Sequence, residues 1–267
     1  MNKLELSSVA LLKDLIENHG LIGVKTSFED EGASLFEVLR VKELCNQAGT
    51  KVYLKIAGAE AKRDLEDSIT IGVKGLVAPM IESPFALDKF ISATKAILPP
   101  DILSNVQLGI NVESISAYQK FDEIMKADGF QYLYHVTLGR VDFVSSMGKD
   151  RGYVNSDEMM SIATEIFTKS REMEKKVYLG GAITTDSKDF LKSLFKKGLL
   201  DKFETRYAIY DPTIALKSLE DSLISGQKLE LGILNYRRDY YMRQANKEID
   251  RIKMIERRVN GQGQSSE

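Results

Sequence analysis

The chain of 267 residues has one cysteine, two histidines, no tryptophan and only five prolines. Cys45 alone cannot close an internal disulfide, and with no signal-peptide pattern this points to a reducing, cytoplasmic setting. A formal net charge of −2 and a pI near 5.9 give no electrostatic footprint for nucleic acid or an acidic membrane surface. The apolar runs are too short for a membrane span. No stretch rich in Pro, Gly or Ser divides the chain, so it reads as one domain with an appendage.

With 43% hydrophobic and 28% charged residues, the chain can bury a large core. After an opening helical stretch (residues 4–18), strand-like runs alternate with helical patterns. The runs lie at 21–26, 52–56, 75–78, 107–112, 131–138, 176–179 and about 202–209. Strands separated by helices imply parallel pairing with crossovers. Seven strands are distinct, and Phe203 to Tyr210 reads equally as one strand or two. The expected fold is a (β/α)8 TIM-type barrel with one strand irregular or missing, an open doubly wound sheet being the alternative. The barrel is expected over residues 1–231, a helix for packing or oligomerisation over 232–259, and a disordered tail over 260–267. On that helix Tyr241, Ala245, Ile249, Ile252, Ile255 and Val259 share one face, which predicts a homo-oligomer. Acidic residues interrupt its basic faces, which argues against a nucleic-acid contact.

In such barrels function gathers where strands end. The ends here are crowded with charge: Lys25, Glu29 and Glu31 after the first strand, Lys55 on the second, Glu113 on the fourth, Arg140 and Asp142 on the fifth. Gly180-Gly181 follow the sixth, and Glu204 and Arg206 lie on the last. Two runs, Leu108 to Ser114 and Leu138 to Phe143, stop on a carboxylate. Adjacent strands ending this way can hold a divalent cation between Glu113 and Asp142. Either acid can equally cap the helix that follows. Arg140 and Arg206 fit a substrate grip or ion pairs with rim carboxylates, and Lys25 has the same two readings. Gly180-Gly181 suits an anion-binding turn or a plain tight turn.

Three stretches recur in family order and spacing: Gly75-Leu76-Val77-Ala78-Pro79-Met80-Ile81-Glu82-Ser83, Val112-Glu113-Ser114, and Leu138-Gly139-Arg140-Val141-Asp142 followed by Ser145-Ser146-Met147-Gly148. From about Gly20 to about Ala215 the chain resembles the HpcH/HpaI aldolase and citrate lyase β-subunit family. The resemblance implies a barrel enzyme in which Glu113 and Asp142 hold Mg²⁺ or Mn²⁺ beside the enolate of a pyruvate-like or acyl-CoA-derived substrate. Lys55 stands where the family often carries an arginine on the substrate, keeping the charge but losing the bidentate fork. The family's loop histidine has no counterpart, because the loop after the first strand reads Phe28-Glu29-Asp30-Glu31-Gly32-Ala33-Ser34. His135 falls inside a strand and His19 at a helix end, so a general base falls to Glu29 or Glu31.

The leading expectation is a metal-dependent carbon–carbon lyase or aldolase acting on a small 2-oxo acid or a CoA-linked substrate. Its catalytic residues would be Glu29, Glu31, Lys55 and Arg140. Its substrate would be held by Lys25, Lys55, Arg140, Gly180, Gly181 and Arg206. Two alternatives keep the barrel: a phosphoenolpyruvate-type transferase or thioester hydrolase, and a degenerate barrel serving as a binding or scaffold subunit.

Overall fold

The computed structural model describes residues 1–262. In chain order the helices and strands are α1 (Lys3–Asn18), β1 (Leu21–Ser27), α2 (Leu35–Ala48), β2 (Val52–Lys55), α3 (Lys62–Ile71), β3 (Gly75–Ala78), α4 (Pro84–Ile97), α5 (Pro100–Leu103), β4 (Gln107–Val112), α6 (Ile115–Gln119), α7 (Phe121–Lys126), β5 (His135–Gly139), α8 (Arg140–Ser146), α9 (Asp157–Glu172), β6 (Lys176–Gly180), α10 (Lys188–Lys196), β7 (Lys202–Glu204), β8 (Ala208–Tyr210), α11 (Pro212–Ala215) and α12 (Leu219–Gln262). Local chemistry sets the boundaries. Asn2 with Glu5 and Ser34 with Glu37 form capping boxes at α1 and α2, while Gly49 and Gly72 close α2 and α3 in the left-handed region.

The eight strands close into a barrel in sequence order. Pairings from β1/β2 to β6/β7 are parallel, so the Phe203–Tyr210 segment is two strands and the barrel is complete. It is not uniformly parallel. β8 pairs antiparallel with both β7 and β1, because only Thr205, Arg206 and Tyr207 separate it from β7 and a parallel return needs a crossover of a dozen residues or more. β5 starts at His135 rather than at residue 131, since Asp128–Tyr132 winds into a 3-10 turn first.

An aromatic layer fills the barrel at the strand starts. His135 stacks on Tyr178 at 4.2 Å between ring centroids, and burial pushes its pKa down to about 3, so it is neutral. Gly109 makes room for it, since a Cβ there would lie 2.0 Å from the imidazole. Tyr53 fills the space beside Gly23 and Gly75 in the same way. His135 is therefore a packing residue, and the open end of the barrel is the one where the strands finish.

α12 begins beside β8, where the Tyr210 hydroxyl donates to Ser222 O at 2.8 Å, and it packs along α1. The boundary expected between residues 231 and 232 falls inside this continuous helix. Residues 260–262, expected in a disordered tail, are its last turn, and residues 263–267 lie outside the described residues. From Tyr241 onward almost every residue is exposed, so the helix projects from the barrel body. Among the described residues no helix is long and apolar enough to cross a membrane.

Candidate active site

The strand ends surround a cavity of about 440 Å³. Of the residues expected at the site, Lys25, Glu31, Lys55, Glu113, Asp142, Gly180, Gly181 and Arg206 line it. Glu29 and Arg140 do not. Glu29 still belongs to the site's charge network, whereas Arg140 is turned away from it.

Glu113 is the centre of the arrangement, 2% exposed at the end of β4. Its Oε1 accepts the Met80 N–H at 3.0 Å, and its Oε2 accepts Asn111 Nδ2 at 3.0 Å. Met80 adopts a left-handed φ of 49°, which a side chain disfavours, and this backbone turn aims its N–H at the carboxylate. Gly139, from β5, admits Glu113: a Cβ there would lie 2.7 Å from Oε2 and 2.9 Å from the Glu113 Cβ. Burial raises the pKa of Glu113 against the pull of Lys55, and the charge of Asp142 adds to the rise. Asp142 itself, at the start of α8, is exposed to the cavity.

Lys55, 3% exposed, stands beside them. Its Nζ lies 2.7 Å from Glu29 Oε2, 3.3 Å from Asp30 Oδ2 and 3.8 Å from Glu113 Oε2. Burial works to lower its pKa, but three carboxylates outweigh it and hold the ammonium charged well above the usual lysine range. Asp30 responds the other way. Burial would raise its pKa, yet Lys55 and the hydrogen bonds it receives leave it below the usual value. On the neighbouring strand β1, Lys25 Nζ meets Glu204 Oε1 from β7 at 2.5 Å. Glu31 accepts the Tyr207 hydroxyl at 2.7 Å, and burial raises its pKa against that bond and nearby cations.

Arg140 departs from the expected substrate role. It is fully buried behind the rim, and its donors are distributed over Gly180 O, Val154 O, Asn155 Oδ1, Gly181 O and Ser187 Oγ. Its guanidinium also covers the Phe190 ring at 4.9 Å. Burial lowers its pKa to about 9, which still leaves it charged at neutral pH. Its place is to tie the β5 and β6 ends together, which also explains Gly181. That residue has φ +81°, and a Cβ there would meet Arg140 N and Val141 N at 2.7 Å.

Other lining residues are not among the expected site residues. Asn111, Thr137 and Ser27 point inward from strands, Arg151 comes from a 3-10 turn, and Gln227 and Glu230 come from α12. Gln227 and Glu230 share a helix face with Leu223 by their spacing, but only packing of α12 over the mouth turns that face inward.

The donor set suits a hard divalent cation. Glu113 and Asp142 could supply carboxylate oxygens, and Asn111 Oδ1, buried next to Glu113, has no hydrogen-bond partner among the described residues. Among the described residues no group of three or more His, Cys, Asp or Glu side chains converges to cage a metal. A site of two carboxylates leaves positions for water and substrate, as Mg²⁺ prefers. The lining carries six carboxylates (Asp30, Glu31, Glu113, Asp142, Glu204, Glu230) against four cations (Lys25, Lys55, Arg151, Arg206), an excess of negative charge that a divalent ion would reduce.

The sequence matches the HpcH/HpaI aldolase/citrate lyase family over residues 37–192. No curated protein matches it. Among solved structures, an HpcH/HpaI aldolase from Desulfitobacterium hafniense DCB-2 is similar with TM-score 0.56 and 11% identity, covering 72% of this chain and 89% of that one. An HpcH/HpaI aldolase/citrate lyase family protein from Burkholderia cenocepacia J2315 gives TM-score 0.56 at 13% identity over 90% and 99%. The citrate synthase SbnG gives 0.59 at 13% over 83% and 89%. At such identities these likenesses establish the fold alone.

Proposed function

The chain belongs to the HpcH/HpaI aldolase/citrate lyase family, and from that membership we propose that it is a divalent-metal-assisted carbon–carbon lyase or aldolase acting on a small 2-oxo acid. The observation that carries the reading is Glu113, a buried carboxylate fixed by Met80 and Asn111, packed on Gly139 and close enough to Asp142 to feel its charge. These two acids would hold Mg²⁺ or Mn²⁺, whose charge would stabilise an enolate oxygen. Lys55 adds a fixed positive charge beside that position. It stays protonated, so it serves as an electrostatic partner of the substrate and not as an imine-forming amine. Glu29 and Asp30 hold it in place.

Glu31 is the general base in this reading. Burial raises its proton affinity, it reaches the cavity, and among the described residues it has no direct ion-pair partner comparable to the one Lys55 gives Glu29. In the cleavage direction Glu31 takes the proton of the hydroxyl β to the oxo group as the carbon–carbon bond breaks. The bonding electrons pass into the oxo-acid fragment, and an aldehyde or ketone leaves. Lys25 and Arg206 stand across the cavity, where the remainder of the substrate would lie. The exposed apolar face of α12 beyond Tyr241 supports a homo-oligomer in the same reading.

Mn²⁺ titration followed by electron paramagnetic resonance tests the metal site, together with Mg²⁺-dependent loss of the pyruvate methyl proton signal in D₂O. Glu113→Gln is expected to weaken Mn²⁺ binding at least about tenfold and to abolish exchange. Equal Mn²⁺ binding by the variant and the wild type would overturn the assignment.

A further inference from the structure

The antiparallel eighth strand changes which residues reach the mouth of the barrel. A parallel β8 would bring its last residue to the rim. Because β8 runs back from β7, the residues just before it, Thr205, Arg206 and Tyr207, stand at the rim instead. Tyr207 is locked there, 2% exposed, with its carbonyl accepting the Lys25 N–H at 2.7 Å from β1. Its side chain leaves the barrel interior and enters a small cavity of about 30 Å³ beneath α1, α2 and α12. Glu31 is the residue whose position connects that small cavity to the main one, since it lines both.

We infer that Tyr207 is a positioning residue for Glu31: its phenolic hydroxyl anchors one carboxylate oxygen from behind and leaves the other for the main cavity. The inference rests on Glu31 being the general base. Glu31 sits in the loop between β1 and α2, next to Gly32 with φ +52°, and the 2.7 Å bond from Tyr207 ties that loop to the barrel wall. The other groups facing Glu31 are Arg206 on the hairpin, Lys25 on β1 and Arg237 on α12. Of these, Lys25 is committed to Glu204 and Arg237 to Glu37 at 3.4 Å, while Arg40 on α2 pairs with Glu5. The phenol is thus the direct partner of the carboxylate, and it favours the ionised form.

Carbon NMR of protein labelled at the glutamate carboxyl carbons reads the Glu31 titration without substrate, its resonance being the one lost in Glu31→Gln. In the wild type it is expected to titrate above the ordinary value of 4.5. Tyr207→Phe keeps the ring and its packing and removes only the donor. It is expected to raise that titration by about one further pH unit. The acidic limb of the pyruvate exchange rate should move up by the same amount. An unchanged Glu31 titration in Tyr207→Phe would overturn the positioning role while leaving Glu31 as base. Wild-type exchange by Glu31→Gln would overturn the base assignment itself, whatever Tyr207 does.

Discussion

Arg140→Lys separates a scaffold from a catalyst more cleanly than any other single change. The guanidinium serves five acceptors: three backbone carbonyls, the Asn155 side chain and Ser187 Oγ. A lysine ammonium has three donors, so at least two buried acceptors lose their partners at about 1–2 kcal/mol each. The guanidinium–Phe190 contact, 4.9 Å in this structure, is lost as well, at about 0.5–1 kcal/mol. The expected destabilisation is about 3–4 kcal/mol. For a chain of 267 residues this corresponds to a Tm lower by about 6–8 °C. Differential scanning calorimetry at neutral pH reads it, and exchange activity per folded molecule should survive at low temperature. A variant that melts like the wild type but has lost exchange would refute the argument and return Arg140 to the substrate.

Lys202, at the start of β7, lies over the rings of Tyr53 and Tyr178, and burial lowers its pKa to about 8. A lysine whose folded pKa is below its unfolded value binds its proton less well when folded, so stability rises with pH between about 8 and the ordinary 10.5. Lys202→Met should therefore melt higher than the wild type at pH 7 and show a flatter stability profile above pH 8, measured by thermal denaturation across pH. For the proposed oligomer, Ile252→Lys with Ile255→Lys places charge in the exposed stripe of α12. The expected outcome in sedimentation is a shift from an assembly to single chains, and a wild type that already sediments as one chain would count against self-association.

What the sequence determines is local. Strand runs at 52–55, 75–78 and 107–112 are apolar enough to be buried on both faces, and alternation with helices implies parallel pairing, in a barrel or a doubly wound sheet. The carboxylates ending β4 and following β5 are equally legible, because a strand end in a barrel has one possible location, the rim. Side-chain direction is not legible in this way. Arg140 and Asp142 are two residues apart on one short helix and so face opposite sides of it, but only the carbonyls of Gly180 and Gly181 at the end of β6 settle that Arg140 takes the core side. The stretch from Phe203 to Tyr210 left one strand or two open, and only the antiparallel pairing of β8 with β7 and β1 put Tyr207 at the rim behind Glu31. Likewise Gln227 and Glu230 look like any polar helix positions until α12 packs over the mouth. The sequence by itself specified alternating strands and helices and the acidic pair at two strand ends, since these follow from periodicity, while closure into a barrel came from the pairing of β8. The tertiary structure decided which charges serve the cavity and which brace its walls, because that depends on partners far away in the chain.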